Sequence, residues 1–147
     1  SMVPARWSRN NPIDLAGGET RDTIPEVLDL VCSHPDVDAV SYLGLGIQSN
    51  QARMMSEGRF YPDHGLERIV AYHQRQDERF AEAAHELSLA TGKPILVATE
   101  LAIADPENAG PATVRRLGRL CYPSGGQAVT ALGHLVRYAK FREAHQR

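Results

Sequence analysis

Two adjacent glycines near the start of the chain have the setting of an anion-binding loop. Gly17 and Gly18 follow a short extended stretch, residues 11–15, and lead through Thr20 into an amphipathic segment. Backbone amides and the helix dipole at a helix start attract phosphate without a charged side chain, and glycine allows close approach because it has no Cβ. The spacing predicts an anion site at Gly17, Gly18 and Thr20, with a plain turn as the alternative.

Two further glycines, Gly44 and Gly46, end the apolar run at residues 37–45. Such a run is typical of a buried strand, and open α/β sheets bind their ligands at the carboxyl ends of the strands. We therefore expect Gly44 and Gly46 to lie beside a ligand.

The histidines and cysteines give weaker indications of a functional site than the glycines do. His73 and His85 lie twelve residues apart on a predicted helix, too far for a direct ligand pair, so we predict no metal site. His64, next to Asp63 in an irregular segment, is the only histidine in an interesting setting. The two cysteines, in a predicted helix and a predicted strand, lack metal or redox spacing and are interpreted as reduced core residues. No catalytic residue is predicted.

Periodic segments supply the elements that must position these residues. The first helix is predicted over residues 20–33, capped by Thr20 or Thr23, with Thr23 and Glu26 at capping-box spacing. Residues 37–45 are predicted as a central strand covered on both faces, and residues 47–64 as an irregular connection.

A long helix is predicted over residues 66–91, closed by Gly92, with Asp77 among the solvated positions. The remaining expected elements are a strand at 94–98, a polar loop at 106–110, a helix at 112–120, a short strand at 120–122 and a helix at 127–144. Strands alternating with helices predict an α/β domain with three layers and a mostly parallel sheet.

Length and charge exclude several protein classes. The chain has 147 residues, 16 basic against 18 acidic side chains, and a pI near 6.3. That balance predicts one domain and gives no reason to expect nucleic acid or a membrane surface as partner. No membrane span or signal peptide is evident, which favours a cytoplasmic location. Ser1 ahead of Met2 resembles the remnant of a cleaved tag, so residues 1–10 are interpreted as a linker or expression-derived segment and 11–147 as the domain.

Several pieces together resemble one family in order and spacing. They are Asn11-Pro12-Ile13-Asp14-Leu15, Asp36-Val37-Asp38-Ala39-Val40, Gly92-Lys93-Pro94-Ile95-Leu96-Val97, and Cys121-Tyr122-Pro123-Ser124 with Ala128-Val129 and Ala131-Leu132. The chain is similar over residues 11–142 to the last, flavodoxin-like CoA-ligase domain of the NDP-forming acyl-CoA synthetases, relatives of succinyl-CoA synthetase. The resemblance implies part of a ligase that joins an organic acid to coenzyme A through an acyl phosphate and a phosphohistidine.

The resemblance also implies roles and partners. Gly17, Gly18 and Thr20 match the loop and helix start that face the phosphohistidine, and Gly44 and Gly46 match a loop beside the acid or phosphate. The parent would use coenzyme A, ATP or ADP and magnesium, while this chain would hold no cofactor itself. Its partners would be the CoA-binding, phosphohistidine and ATP-grasp domains or subunits, with a homodimer as a further expectation.

Departures from the family keep other functions open. The chain has no match to the family's histidine motif, its coenzyme A fingerprint or its nucleotide-binding fold, so the chain alone is expected to be inactive. The strand that opens the family domain is absent or replaced, the segment from Gln48 to Gly65 is long, and Glu19 puts a negative charge at the expected phosphate position. The alternatives are a non-catalytic regulatory or protein-interaction module, and a small hydrolase or transferase using His64, Arg53 and Asp63.

Overall fold

A computed structural model describes residues 7–8, 10–15 and 22–145. Within these ranges the chain is an α/β domain built on a parallel three-stranded sheet in the order β1-β2-β3. The elements in chain order are α1 Thr23–Ser33, β1 Val40–Leu43, α2 Ile47–Ser56, α3 Leu66–Thr91, β2 Ile95–Ala98, α4 Leu101–Ala104, α5 Ala109–Arg116, β3 Cys121–Tyr122 and α6 Gly125–His145.

The central strand β2 separates two apolar clusters. Val40 of β1 is opposite Ile95, and Val97 is opposite Cys121 of β3. Successive residues of a strand point to opposite faces. Val97 accordingly packs in the larger cluster, formed with Leu28, Leu45, Phe80, Ala81, Ala84 and Val114, while Leu96 and Ala98 pack with Ala128 and Leu132 of α6.

The long helix is confirmed with the predicted bounds, and Gly92 ends it at φ 70°. Left-handed backbone at this position is what the glycine C-cap supplies. One detail of the prediction is wrong, because Asp77 is not solvated: its side chain is 1% exposed. Its carboxylate instead accepts hydrogen bonds from backbone amides at the start of α2.

The connection at residues 47–64 is not irregular throughout, because α2 occupies Ile47–Ser56. This helix has few apolar residues, so its sequence carries little helical periodicity. It begins directly after Gly46, whose φ is 102°, and its N-terminal amides bond to a side chain of α3. A helix start stabilised from another element leaves no local capping motif to detect.

The first helix begins at Thr23, and Asp22 occupies the N-cap position. The Asp22 side chain makes no capping bond, and its Oδ1 accepts from Arg79 Nη2 instead. Thr23 is therefore not the cap but a buried residue of the first turn, and the capping box predicted with Glu26 is wrong. Thr20, the alternative cap, lies outside the described residues. At the other end, Lys93 Nζ donates to the carbonyls of Cys32 and His34 at 2.8 and 2.7 Å and satisfies the end of α1.

Strand β1 was predicted to be central, but in the described sheet it is an edge strand. Val40 and Tyr42 pack into the larger cluster, whereas Ser41 and Leu43 are exposed. The apolar run at residues 37–45 extends beyond β1 because Leu45, two residues after the end of the strand, is fully buried.

The last helix is much longer than the strands that it covers. Twenty-one residues at 1.5 Å each give about 31 Å, against about 13 Å for a strand of four residues. Every residue from 134 to 145 is exposed, including Leu135, Tyr138 and Phe141. Among the described helices, none is both long and apolar enough to cross a membrane.

Candidate functional site

The predicted site residues fall into two groups. Gly17, Gly18 and Thr20 lie outside the described residues. Gly44 and Gly46 lie together at the carboxyl end of β1, with φ values of 82° and 102°. Both values belong to the left-handed region that side chains disfavour, so the β1–α2 loop depends on glycine at these positions.

Gly46 is enclosed, and both of its backbone polar groups are bonded to side chains. Its N–H donates to Asp77 Oδ1 at 3.0 Å, and its carbonyl accepts from Asn108 Nδ2 at 3.0 Å. A Cβ on Gly46 would lie 2.7 Å from Asn108 Oδ1 and 2.8 Å from Leu101 Cδ1. The amide of Gly46 is therefore committed to the fold in this structure and does not point to a ligand.

Gly44 is half-buried, and its amide is also used within the chain. Its N–H donates to the carbonyl of Ala98 at 3.2 Å, which extends the β1–β2 pairing by one residue. A Cβ here would meet only Ile47 Cδ1, at 3.1 Å. The contribution of Gly44 to a ligand would be close approach at the sheet edge and not donation of its amide.

The buried carboxylate of Asp77, a residue of α3, accepts hydrogen bonds from backbone amides at the start of α2. Besides Gly46, it accepts from the Ser49 N–H through Oδ2 at 2.6 Å. The Ser49 hydroxyl is buried and completes no hydrogen bond of normal geometry. Burial raises the pKa of the Asp77 carboxyl, opposed by its contacts with Ser49 and Gly46 and by nearby His73. An anion from α3 thus satisfies helix-start amides that an external anion would otherwise bind.

Asn108 links the same loop to α5. Its Oδ1 accepts from the Gly110 N–H at 3.1 Å as the N-cap of α5, while its Nδ2 holds the Gly46 carbonyl. Gly110 is as constrained as Gly46, since an added Cβ would lie 2.8 Å from Leu45 Cγ and 2.9 Å from the Gly46 nitrogen. The loop after β1 is therefore clamped between α3 and α5.

An open groove of about 520 Å³ lies between α2, α3 and α5, next to this clamp. Its charged lining residues are two arginines and three acids: Arg53, Arg116, Glu78, Asp105 and Glu107. Both arginines already pair with glutamates, Arg53 with Glu57 at 3.6 Å and Arg116 with Glu82 at 3.3 Å. The lining is mixed in sign and selects neither an anion nor a cation.

The residues of the predicted hydrolase or transferase site are not brought together. Arg53 lines the groove, but His64 and Asp63 do not, and both are exposed. His64 makes an edge contact with the ring of Phe60. In the part of the chain described, no group of three or more histidine, cysteine, aspartate or glutamate side chains could hold a metal ion.

Sequence reasoning missed Asp77 and Asn108, the two side chains that organise this region. Asp77 looks solvated because it is charged and sits on a helix, and Asn108 lies in a polar loop. Only the N-cap role of Asn108 has a sequence signal, since asparagine before a helix is a favoured cap. Their partner Gly46 is 31 and 62 residues away, beyond any local pattern.

Comparison of the chain with protein-family models, with curated proteins and with solved structures finds no match.

Proposed function

We propose that the chain is a three-layer, flavodoxin-like CoA-ligase domain of an NDP-forming acyl-CoA synthetase. In this role it supplies a glycine loop and a helix start that stabilise a phosphoryl group during its transfer, by electrostatic preorganisation. The domain works with CoA-binding, phosphohistidine and ATP-grasp partners in the cytoplasm and performs no complete reaction alone.

One structural observation carries the proposal beyond the sequence resemblance. The Gly44–Gly46 loop leaves the carboxyl end of a strand in an all-parallel sheet, where open α/β folds bind ligands. Three of the four pieces that resemble the family also border separate strands, whereas the first precedes all of the helices and strands of the described chain. The first lies before α1, the second leads into β1, the third into β2, and the last runs from β3 towards α6.

A specific observation favours the second candidate, a non-catalytic interaction module. Three large apolar side chains of α6, Leu135, Tyr138 and Phe141, are 57–60% exposed, and β1 is an edge strand in the described sheet. Exposed apolar surface of this kind marks interaction sites in soluble proteins. The capture of the α2 amides by Asp77 agrees with loss of ligand binding at that position.

The test is binding of inorganic phosphate to the chain and to its Gly18→Val variant. A β-branched residue at Gly18 blocks both the close approach and the backbone freedom that an anion loop needs. We expect phosphate to shift the amide resonances of the glycine loop in the wild type and to leave Gly18→Val unaffected. The matched control is Gly133→Val, because a Cβ at Gly133 meets only Arg137 Nη1 at 3.7 Å.

Circular dichroism of both variants establishes that they are folded. Equal phosphate affinity of the wild type and Gly18→Val would sink the anion-loop assignment. The interaction module would be favoured by two results together. The wild type would not bind phosphate, and no CoA-binding, phosphohistidine or nucleotide-binding module would be encoded beside the reading frame.

A further inference from the structure

The apolar side of α6 that covers the sheet continues beyond it. Ala128 and Leu132 pack against β2, and Leu135 and Ala139 follow them at intervals of three and four residues. Residues at this spacing lie on one side of a helix, and we call these four positions the α6 seam. Every residue of the distal half of α6, residues 134–145, is exposed. The seam is therefore covered in the first half of the helix and uncovered in the distal half.

The uncovered part of the seam has the area of a small protein interface. Leu135 lies on the seam, Val136 and Tyr138 flank it on opposite sides, and the three side chains are 44–60% exposed. With about 150–250 Å² for a whole tyrosine side chain and less for the aliphatic ones, together they expose about 300 Å² per chain. Interfaces are about 60% apolar, so two chains that covered this surface would bury about 1,000 Å² in total. That area is the lower limit for a specific interface and indicates a reversible dimer.

Charge favours a second copy of this chain as the molecule that covers the seam. The distal half carries Arg137, Lys140 and Arg142 against the single acid Glu143. The rest of the chain carries 13 basic against 17 acidic side chains, so it attracts the distal half of another copy. An anionic lipid surface would attract the helix but repel this acidic remainder.

The direction of α6 indicates how two copies meet. The helix starts at the carboxyl edge of the sheet, where a Cβ on Gly125 would lie 3.2 Å from Leu43 Cδ2, and its next turns run back over β2. The distal half then passes the amino edge, where the exposed Asp36 and Asp38 precede β1. Two such helices in antiparallel contact place the end of each beside the amino edge of the other chain. Arg142 near the helix end then approaches acidic residues of the second copy.

We propose that the distal half of α6 is the interface of a homodimer, in which the seam at Leu135 and Ala139 packs antiparallel against the same seam of a second copy. A twofold axis makes this contact isologous, because each chain presents the same surface and both seams are covered at once. The dimer does not depend on phosphate binding, so it stands or fails separately from the proposed function.

The experiment is sedimentation velocity of the full chain at concentrations from about 5 to 500 µM. We expect the average mass to rise from one chain towards two, with a dissociation constant on the order of 10–100 µM, as for an interface at the lower size limit. Leu135→Lys should raise that constant at least about 50-fold, because each dimer loses two buried leucines and gains two charges in the seam. The matched control is Leu89→Lys, which changes a similarly exposed leucine of α3 and should stay within about two-fold of the wild type.

Three results would overturn the dimer interface. The first is a wild type that stays monomeric over the whole range, and the second is a dimer that Leu135→Lys weakens no more than Leu89→Lys does. The third is a monomeric wild type that sediments with phosphatidylserine vesicles when Leu135→Lys does not, because the seam would then bind lipid instead of a second copy.

A second pair of variants keeps the test decisive if circular dichroism shows that Leu135→Lys does not fold. Ala139→Lys then replaces it, with Ala144→Lys as the control. Both alanines are exposed in the distal half, but five residues separate them by about 140° around the helix, so only Ala139 lies on the seam. We expect Ala139→Lys to raise the dissociation constant at least about ten-fold and Ala144→Lys to leave it within about two-fold. Equal constants for these two variants would contradict the proposed interface.

Discussion

Replacing Asp77 with alanine tests the burial of an anion at the start of α2. The change leaves the Gly46 and Ser49 amides buried without an acceptor, and each such donor costs about 1–3 kcal/mol. Two effects oppose this loss: the carboxylate no longer has to be desolvated, and alanine is the better helix former by about half a kcal/mol. We expect a net destabilisation of about 2–4 kcal/mol and, at this chain length, a Tm lower by about 5–15 °C.

Urea unfolding at pH 7, followed by circular dichroism, measures this loss. Glu78→Ala is the matched control, since Glu78 is the next residue of α3, is half-buried and lines the open groove. Its loss should stay under about 1 kcal/mol, as for a solvent-facing substitution. Asp77→Ala within about 0.5 kcal/mol of Glu78→Ala would refute the reasoning, because two buried unpaired amides cannot cost so little.

The pH dependence of the same pair has a definite sign. Burial raises the pKa of Asp77, so the folded state holds this proton more tightly than the unfolded state does. Its contribution to stability is complete below the unfolded pKa and declines as pH rises through the folded pKa. The stability difference between the wild type and Asp77→Ala should therefore shrink from pH 4 upward. A difference that grows with pH would mean that the amide hydrogen bonds outweigh burial.

Three further outcomes follow from individual contacts. Gly110→Ala should lower stability by about 1–3 kcal/mol through overpacking against Leu45 and the Gly46 backbone. Gly126→Ala should be neutral or stabilising, because its Cβ would meet only Ser124 Oγ at an ordinary contact distance of 3.9 Å; equal urea midpoints of the two variants would contradict this. Lys93→Met should cost about 1–2 kcal/mol in urea unfolding, because it removes both bonds at the end of α1, and a loss below about 0.3 would contradict that role. Iodoacetamide at pH 7.5 should spare Cys32, which is 0% exposed, and label Cys121 more slowly than free cysteine, because burial raises the pKa of both thiols; rapid labelling of Cys32 in native protein, seen by mass spectrometry, would overturn this.

Local patterns predicted the elements whose signal is local. The 26-residue helix α3 and its Gly92 cap follow from apolar spacing and one glycine, and β2 follows from a short apolar run before a turn. α2 could not be found in this way, because it has few apolar residues and its first amides bond to Asp77 on another helix. Solvation of Asp77 was wrongly predicted for the same reason.

The candidate site likewise has one part that local sequence predicts and one part that depends on distant residues. The positions of Gly44 and Gly46 at the end of a strand were predictable from the apolar run and the glycines. The commitment of the Gly46 amide was not, since it depends on a side chain 31 residues away. Long-range hydrogen bonds to backbone carry no residue-type signature, so only the folded chain reveals them.

The length of α6 has a dynamic consequence. Its second half, residues 134–145, is a helix of about three turns in which every residue is exposed, and an isolated helix of that length is marginal in water. Hydrogen exchange should therefore divide the helix near Gly133: amides around the buried Ala128 exchange only through cooperative opening, and those beyond Gly133 exchange by fraying. A molecule that bound to Leu135, Tyr138 and Phe141 would slow hydrogen exchange in that half of the helix alone. The exchange rates of the amides beyond Gly133 would therefore report whether this surface is bound.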